Sequence, residues 1–304
     1  MITSLVVAAV LALAQSGGGA VPTPAPAGKP VVIGTSYTIP SVVLGEPRTI
    51  NVYVPPSYAT GSRRYRVLYM LDGGEAQDFH HISGLAQLAT ISGATEEFIV
   101  VGIETRQRRR ELTARSADPR YTKEWPEHGA SSLFRRHIAE EVIPFVESRW
   151  RLDGESALIG ESLAGLFVVE TLLRSPGMFD RYVAIDPSLW WDSRALAREA
   201  PALLARHDGG RRTLWLTSGD EPGTMQDGMN RLVEALKTRA PAGLEWSYAP
   251  RPDETHASIY HPAALDALRS LWGVDTRYDA ASVWWLRDGP SVPAAPAASS
   301  PTRR

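Results

Sequence analysis

Hydrophobic and polar positions alternate over residues 46–54, with Ile50, Val52 and Val54 on one side and Thr49, Asn51 and Tyr53 on the other. This period of two predicts a strand with one face in a core. Short apolar runs at 66–71, 98–103 and 157–159 predict buried strands, and 181–185, 212–217 and 244–249 predict further strands. Between them the period changes. Phe134, Ile138, Val142, Ile143 and Val146 fall at helical spacing and predict a helix over 132–150. Further helices are predicted at 166–173, 193–207, 225–239 and 262–272, and one carrying His80 and His81 after the Gly73-Gly74 turn. An alternating start followed by a strand–helix rhythm predicts an α/β fold, a mostly parallel sheet with helices on both faces. No internal repeat interrupts it. Ligands in such sheets bind beyond the carboxyl ends of the strands.

One of those ends carries Gly160-Glu161-Ser162-Leu163-Ala164-Gly165, between the run 157–159 and the apolar helix 166–173. A buried strand, a sharp turn bearing one serine and a buried helix form the nucleophile elbow of the α/β-hydrolase fold. Gly160 lets two backbone segments approach, and Ser162 comes to the helix N-terminus, where free N–H groups favour developing negative charge. Ala164 stands where the usual pattern has a second glycine.

A serine hydroxyl is a poor nucleophile near neutral pH. It needs a base, usually histidine, and an acid that fixes the histidine tautomer, in the chain order Ser, Asp or Glu, His. Only His207, His256 and His261 follow Ser162. His207 ends a polar helix and His261 begins the last one, whereas His256 lies in the polar loop after the last strand, so His256 is the expected base. The acid is expected after the strand 212–217, where Asp220, Glu221 and Asp227 are all within reach; Glu221 is preferred, with one of the others left to cap the following helix. The oxyanion hole needs two backbone N–H groups. Leu163, after the nucleophile, is one candidate, and Gly74, after the strand 66–71, is the other. His80 and His81 read as pocket wall or helix surface rather than a metal pair.

Composition narrows the field. A formal net charge of -2 in 304 residues gives no sign of a nucleic-acid partner. The absence of cysteine excludes disulfides, a thiol nucleophile and thiolate metal sites. No metal and no organic cofactor is expected. Residues 5–14 are apolar and end in an A-x-A pattern, so 1–14 reads as a signal peptide without a basic start, implying a periplasmic or secreted protein. The run is too short to span a bilayer, so no stable membrane insertion is expected. Residues 15–30 read as a flexible Pro/Gly/Ala linker, 31–287 as one hydrolase domain and 288–304 as a disordered tail.

Three stretches carry a resemblance. Tyr69-Met70-Leu71-Asp72-Gly73 resembles the Y-L-L-D-G strand end of the putative esterase family, which includes enterochelin and feruloyl esterases, S-formylglutathione hydrolase and mycolyltransferases. Asp186-Pro187-Ser188-Leu189-Trp190-Trp191 resembles the S-P-S-L-W-W stretch of its enterochelin-esterase-like branch, and 108–113 resembles the R-x-R-D-L-T loop of that branch. The resemblance covers roughly residues 32–275. It implies a serine hydrolase of small-molecule esters with Ser162 and His256 on the motif positions and Gly74 as oxyanion donor, and in some branch members a poorly defined acid. Arg108, Arg109 and Arg110 could receive an anionic or catecholate ester, with Arg110 preferred. Trp190 and Trp191 could wall the site, one of them serving instead as core. The competing readings are an acyltransferase on the same scaffold and a catalytically silent binding module. The natural ester and the oligomeric state are not legible in the sequence.

Overall fold

A computed structural model describes residues 28–207 and 209–276. The expected signal segment 1–14, most of the expected linker and the expected tail 288–304 lie outside the described residues. Contacts divide the chain at residue 32, and the sheet and its helices belong to the unit that begins at Ile33.

In chain order the strands are β1 (Thr35–Ile39), β2 (Arg48–Tyr53), β3 (Tyr65–Met70), β4 (Phe98–Ile103), β5 (Leu152–Glu161), β6 (Arg181–Ile185), β7 (Arg212–Thr217) and β8 (Leu244–Tyr248). They form one sheet in the order β1-β2-β4-β3-β5-β6-β7-β8. β2 runs antiparallel to both its neighbours, and the remaining pairs are parallel. The helices are α1 (Phe79–Ser92), α2 (Arg108–Leu112), α3 (Pro119–Glu124), α4 (Ser131–His137), α5 (Ile143–Glu147), α6 (Leu163–Arg174), α7 (Trp191–Leu204), α8 (Thr224–Arg239) and α9 (Tyr260–Trp272).

Alternation along each strand divides the core in two. Val67, Tyr69 and Leu158 pack with α4 to α8 on one face, while Leu68, Met70 and Ile159 pack with α1 and α9 on the other. Both faces are therefore covered, and this is why the parallel strands read as continuous apolar runs. The helix predicted over 132–150 is instead α4 and α5 joined by a π turn, Ile138–Val142. Pro144 has no N–H to donate, and the ladder slips so that the Ile143 N–H reaches the Ile138 carbonyl. The short helices α2 and α3, in the loop after β4, had no signal in the hydrophobic pattern. The whole is the expected α/β-hydrolase arrangement.

The parallel register brings Met70, Gly102, Ile159, Val183 and Trp215 into one row across β3 to β7. Asp72, Glu104, Ser162, Asp186 and Ser218, just beyond those strands, consequently lie along a single edge.

Candidate active site

Ser162 sits between β5 and α6 at φ 61° and ψ -121°, a conformation that a residue with a side chain rarely adopts. Such strain costs about 1–3 kcal/mol and persists only where the surroundings enforce it. They do so here: the Ser162 N–H donates to Ile185 at 3.1 Å, and its carbonyl accepts from Leu166 and Ser188, each at 2.9 Å. The glycines make the turn feasible. A Cβ on Gly160 would lie 2.6 Å from the Ala164 backbone, and one on Gly165 would lie 2.8 Å from the Ile185 carbonyl. Ala164 is itself buried and tolerated where a second glycine was the usual residue.

His256, in the loop between β8 and α9, presents both ring nitrogens to partners. Its Nε2 lies 2.9 Å from Ser162 Oγ and its Nδ1 lies 2.5 Å from Asp186 Oδ2. The ring is therefore held between a hydroxyl and a buried carboxylate. The Asp186 hydrogen bond is the main force raising the His256 pKa; burial opposes it, and the Glu161 and Glu221 charges reinforce it. Asp186 follows β6 at φ 43°, with its own N–H donating to Thr217 at 2.9 Å and its Oδ1 accepting from Gly219 at 3.2 Å.

The expected acid is placed differently. Glu221 Oε1 accepts the backbone N–H of His256 at 2.7 Å, so it braces the histidine loop, and the hydrogen bond to the ring belongs to Asp186. Asp220 is exposed, and its N–H donates to Glu254 at 2.8 Å. Asp227 pairs with Arg194 at 2.9 Å and Arg231 at 3.1 Å. Asp186 already stood in the Asp186-Pro187-Ser188 stretch, where the resembling motif has serine. A carboxylate at the carboxyl end of a buried strand, before the histidine in chain order, was the available signal.

Leu163 begins α6, so its N–H has no acceptor within the helix. The other expected donor is occupied: the Gly74 N–H donates to Gln77 Oε1 at 2.8 Å. Of the arginines, Arg110 is exposed; its guanidinium donates to Gln107, just before α2, at 3.2 Å, and its carbonyl accepts from the Ala130 N–H at 2.7 Å. The one turned to the strand ends is Arg108, 2.8 Å from Asp72. Arg109 lies over the Trp125 ring at 4.6 Å. The two tryptophans diverge. Trp191 is core, with its Nε1 donating to the Ala114 carbonyl at 2.9 Å. Trp190 lines an open hollow of about 320 Å³ with Arg120, Tyr121, Glu124 and Trp125. His81 meets His261 at 2.8 Å across α1 and α9, and His80 is exposed.

Among the described residues, Asp186, Glu221 and His256 alone bring three such ligand atoms within 4.8 Å of one another. Nδ1 and Oδ2 are already committed to each other, and Glu221 to a backbone N–H. The lone pairs of the three side chains are taken up by these hydrogen bonds and do not form an open cage.

Residues 41–249 match the profile of the family described as Putative esterase. The chain is 28% identical over 267 residues to the ferri-bacillibactin esterase BesA of Bacillus subtilis (strain 168), an alignment covering 78% of this chain and 92% of that protein. The crystal structure of an IroE-like serine hydrolase from Shewanella oneidensis superposes with a TM-score of 0.70 at 26% identity, covering 83% of this chain and 85% of that one. The BES protein from Bacillus cereus gives a TM-score of 0.71 at 23% identity over 82% of this chain and 99% of that one, a likeness of fold.

Proposed function

The chain belongs to the putative esterase family and is a serine carboxylic-ester hydrolase, and on that premise we propose that Ser162 is its nucleophile, His256 the general base and Asp186 the acid that orients the imidazole. The observation that carries this reading is the relay itself, 2.9 Å from Oγ to Nε2 and 2.5 Å from Nδ1 to Oδ2. As Oγ bonds to the ester carbonyl carbon, its proton passes to Nε2, and Asp186 holds the other side of the charged ring. The carbonyl oxygen gains negative charge beside the Leu163 N–H and the N-terminus of α6. The Gly74 N–H, here donated to Gln77 Oε1, is the proposed second donor. Nε2–H then protonates the leaving alcohol, an acyl-enzyme remains on Ser162, and water hydrolyses it by the same steps with His256 as base. Glu221 holds the loop that carries His256.

The proposed substrates are siderophore-type esters, catechol-bearing ones first. The names of the relatives support this, and so does the hollow beside Trp190, where Tyr121 and Trp125 offer flat aromatic faces. Arg109, stacked over Trp125, places positive charge there, and Arg108 takes the place expected of Arg110. The proposed location is the periplasm or the exterior, on the strength of segment 1–14. No helix among the described residues is long and apolar enough to cross a membrane.

A hydrolysis screen tests the reading: p-nitrophenyl acyl esters, feruloyl esters and a catecholate trilactone, each with the wild type and with Ser162→Ala. Hydrolysis of the trilactone, lost in the variant, is the expected result. Turnover of simple esters alone would remove the siderophore assignment, and an active Ser162→Ala protein would remove the nucleophile.

A further inference from the structure

The nitrogen of His256 that faces the nucleophile has a second neighbour. Glu161, immediately before Ser162, places Oε1 3.4 Å from His256 Nε2. Glu161 is the last residue of β5. It falls on the same side of the strand as Ile159, toward α1 and α9, and its side chain is only 17% exposed. The Ser162–His256–Asp186 relay does not use this carboxyl, although the carboxyl lies beside the nitrogen that takes the reacting proton.

We propose that Glu161 is a positioning residue that holds the imidazolium of His256 during turnover and sets the pH below which the Ser162–His256 pair stops working. The proposal rests on the reading of His256 as the base.

Proton transfer brings the carboxyl into play. Neutral His256 accepts the Ser162 proton on Nε2 and becomes a cation, with Asp186 on Nδ1–H and Glu161 beside Nε2–H. An ionised Glu161 stabilises that cation, and a protonated one does not. The same attraction acts in the resting enzyme, where it favours the protonated and therefore inactive base. One charge thus has two opposed effects, faster chemistry at high pH and an earlier loss of activity as pH falls.

Several groups decide whether Glu161 is ionised. Burial pushes its carboxyl up to about 7. His256 and Arg108 work against burial, while Asp186 after β6 and Asp78 before α1 add to it. Asp72 after β3 engages Arg108 at 2.8 Å, which divides that guanidinium between two carboxylates. Tyr260, at the start of α9, stays neutral because burial raises its pKa far above the ordinary value. On the histidine side, the Asp186 hydrogen bond first, then Glu161 and Glu221, raise the His256 pKa. Glu161 and His256 therefore titrate as a coupled pair, and the apparent values belong to both.

Glu161→Gln keeps the volume and removes the charge. On a short p-nitrophenyl ester, the acid limb of kcat/KM is expected to move about one pH unit lower, a shift typical of removing one opposite charge within about 4–6 Å. The high-pH plateau of kcat should fall roughly 3- to 10-fold, with KM within about twofold, because the charge acts on the transition state. Glu161→Asp, which keeps the charge, should keep more of the wild-type limb. An NMR titration of the His256 ring should show the same downward displacement without reference to activity. Superimposable profiles and ring titrations for wild type and Glu161→Gln would overturn the proposal. If the glutamine variant does not fold, the carboxyl of wild-type Glu161 can be titrated by carbon-13 NMR: coupled transitions with His256 support the proposal, and two independent ones overturn it. Activity in His256→Gln would instead overturn the underlying reading, so the two failures are distinguishable.

Discussion

Among the described residues, two of the clusters that bring together a serine, a histidine and a carboxylate sit at histidine side chains hydrogen-bonded to both partners' side chains, and one of these two has the geometry of a catalyst. At the strand ends, Ser162 and Asp186 use opposite nitrogens of His256, whose side chain is 38% exposed. Under the loop after β1, Ser41 and Glu141 both use the same nitrogen of His137: Nδ1 lies 3.1 Å from Ser41 Oγ and 2.6 Å from Glu141 Oε2. Ser41 also donates directly to Glu141 at 2.5 Å, and His137 Nε2 is buried with no hydrogen-bond partner among the described residues. No proton can pass from serine through the ring to the acid there. Glu141 instead accepts the N–H groups of Val42 and Val43 at 2.7 and 2.9 Å and ties that turn to the π turn between α4 and α5. The electrostatics differ too. The Asp186 hydrogen bond raises the His256 pKa, whereas burial lowers that of His137. Residue type is shared; what separates a relay from a clamp is which ring nitrogen each partner occupies and whether a substrate can arrive.

The largest expected effect breaks the symmetry of the two serines. Ser162→Ala should cost roughly 10⁴-fold or more in kcat with Tm unchanged. Ser41→Ala should leave kcat within about threefold while lowering stability by about 1–2 kcal/mol, the usual loss for a buried hydrogen-bonding group. Steady-state kinetics and thermal unfolding on both variants check this, and a large activity loss from Ser41→Ala would remove the distinction.

Next come the acids. Asp186→Asn should lower kcat by up to about 10⁴-fold, because the wrong histidine tautomer becomes favoured. Glu221→Gln should lower it about tenfold, through the loop alone. The reverse order in kcat would return the orienting role to Glu221.

The smallest effect concerns acid stability. Hydrogen bonds from Ser41, His137 and the turn N–H groups overcome burial and hold the Glu141 carboxyl at about 2, against an ordinary 4.5. A depressed carboxylate stabilises the fold above its unfolded pKa, and that contribution is lost as pH falls from about 4.5 toward 2. His137, also depressed, acts in the same direction, its contribution fading as pH drops below 6.5. Glu141→Gln should therefore be less stable at neutral pH and show a flatter decline between about pH 5 and 2 than the wild type. Parallel curves from denaturant unfolding would show that the clamp carries no charge-dependent stability.

The sheet was readable because its parallel strands are apolar on both faces: the runs at 98–103, 181–185 and 212–217 coincide with β4, β6 and β7. Gly160 and Gly165 announced the elbow because a sharp turn against packed backbone leaves no room for a Cβ. The position of His256 beside Ser162 was legible by elimination and by its loop. Asp186 was not singled out, since several acids follow Ser162 and the choice depends on which strand end faces the ring, a matter of register across β5, β6 and β7. The inward turn of Arg108 rather than Arg110 depended on α2, a five-residue helix whose pattern carries no period. The Gln77 contact to Gly74 is a tertiary detail with no sequence signature.

The central claim is that one serine of the two clusters is activated, and fluorophosphonate labelling followed by peptide mass mapping tests it most directly. Labelling should yield a single adduct on the peptide carrying Ser162, absent in Ser162→Ala and strongly slowed in His256→Ala, with the Ser41 peptide unmodified. An adduct on Ser41, or none at all on the folded wild-type protein, would contradict the account.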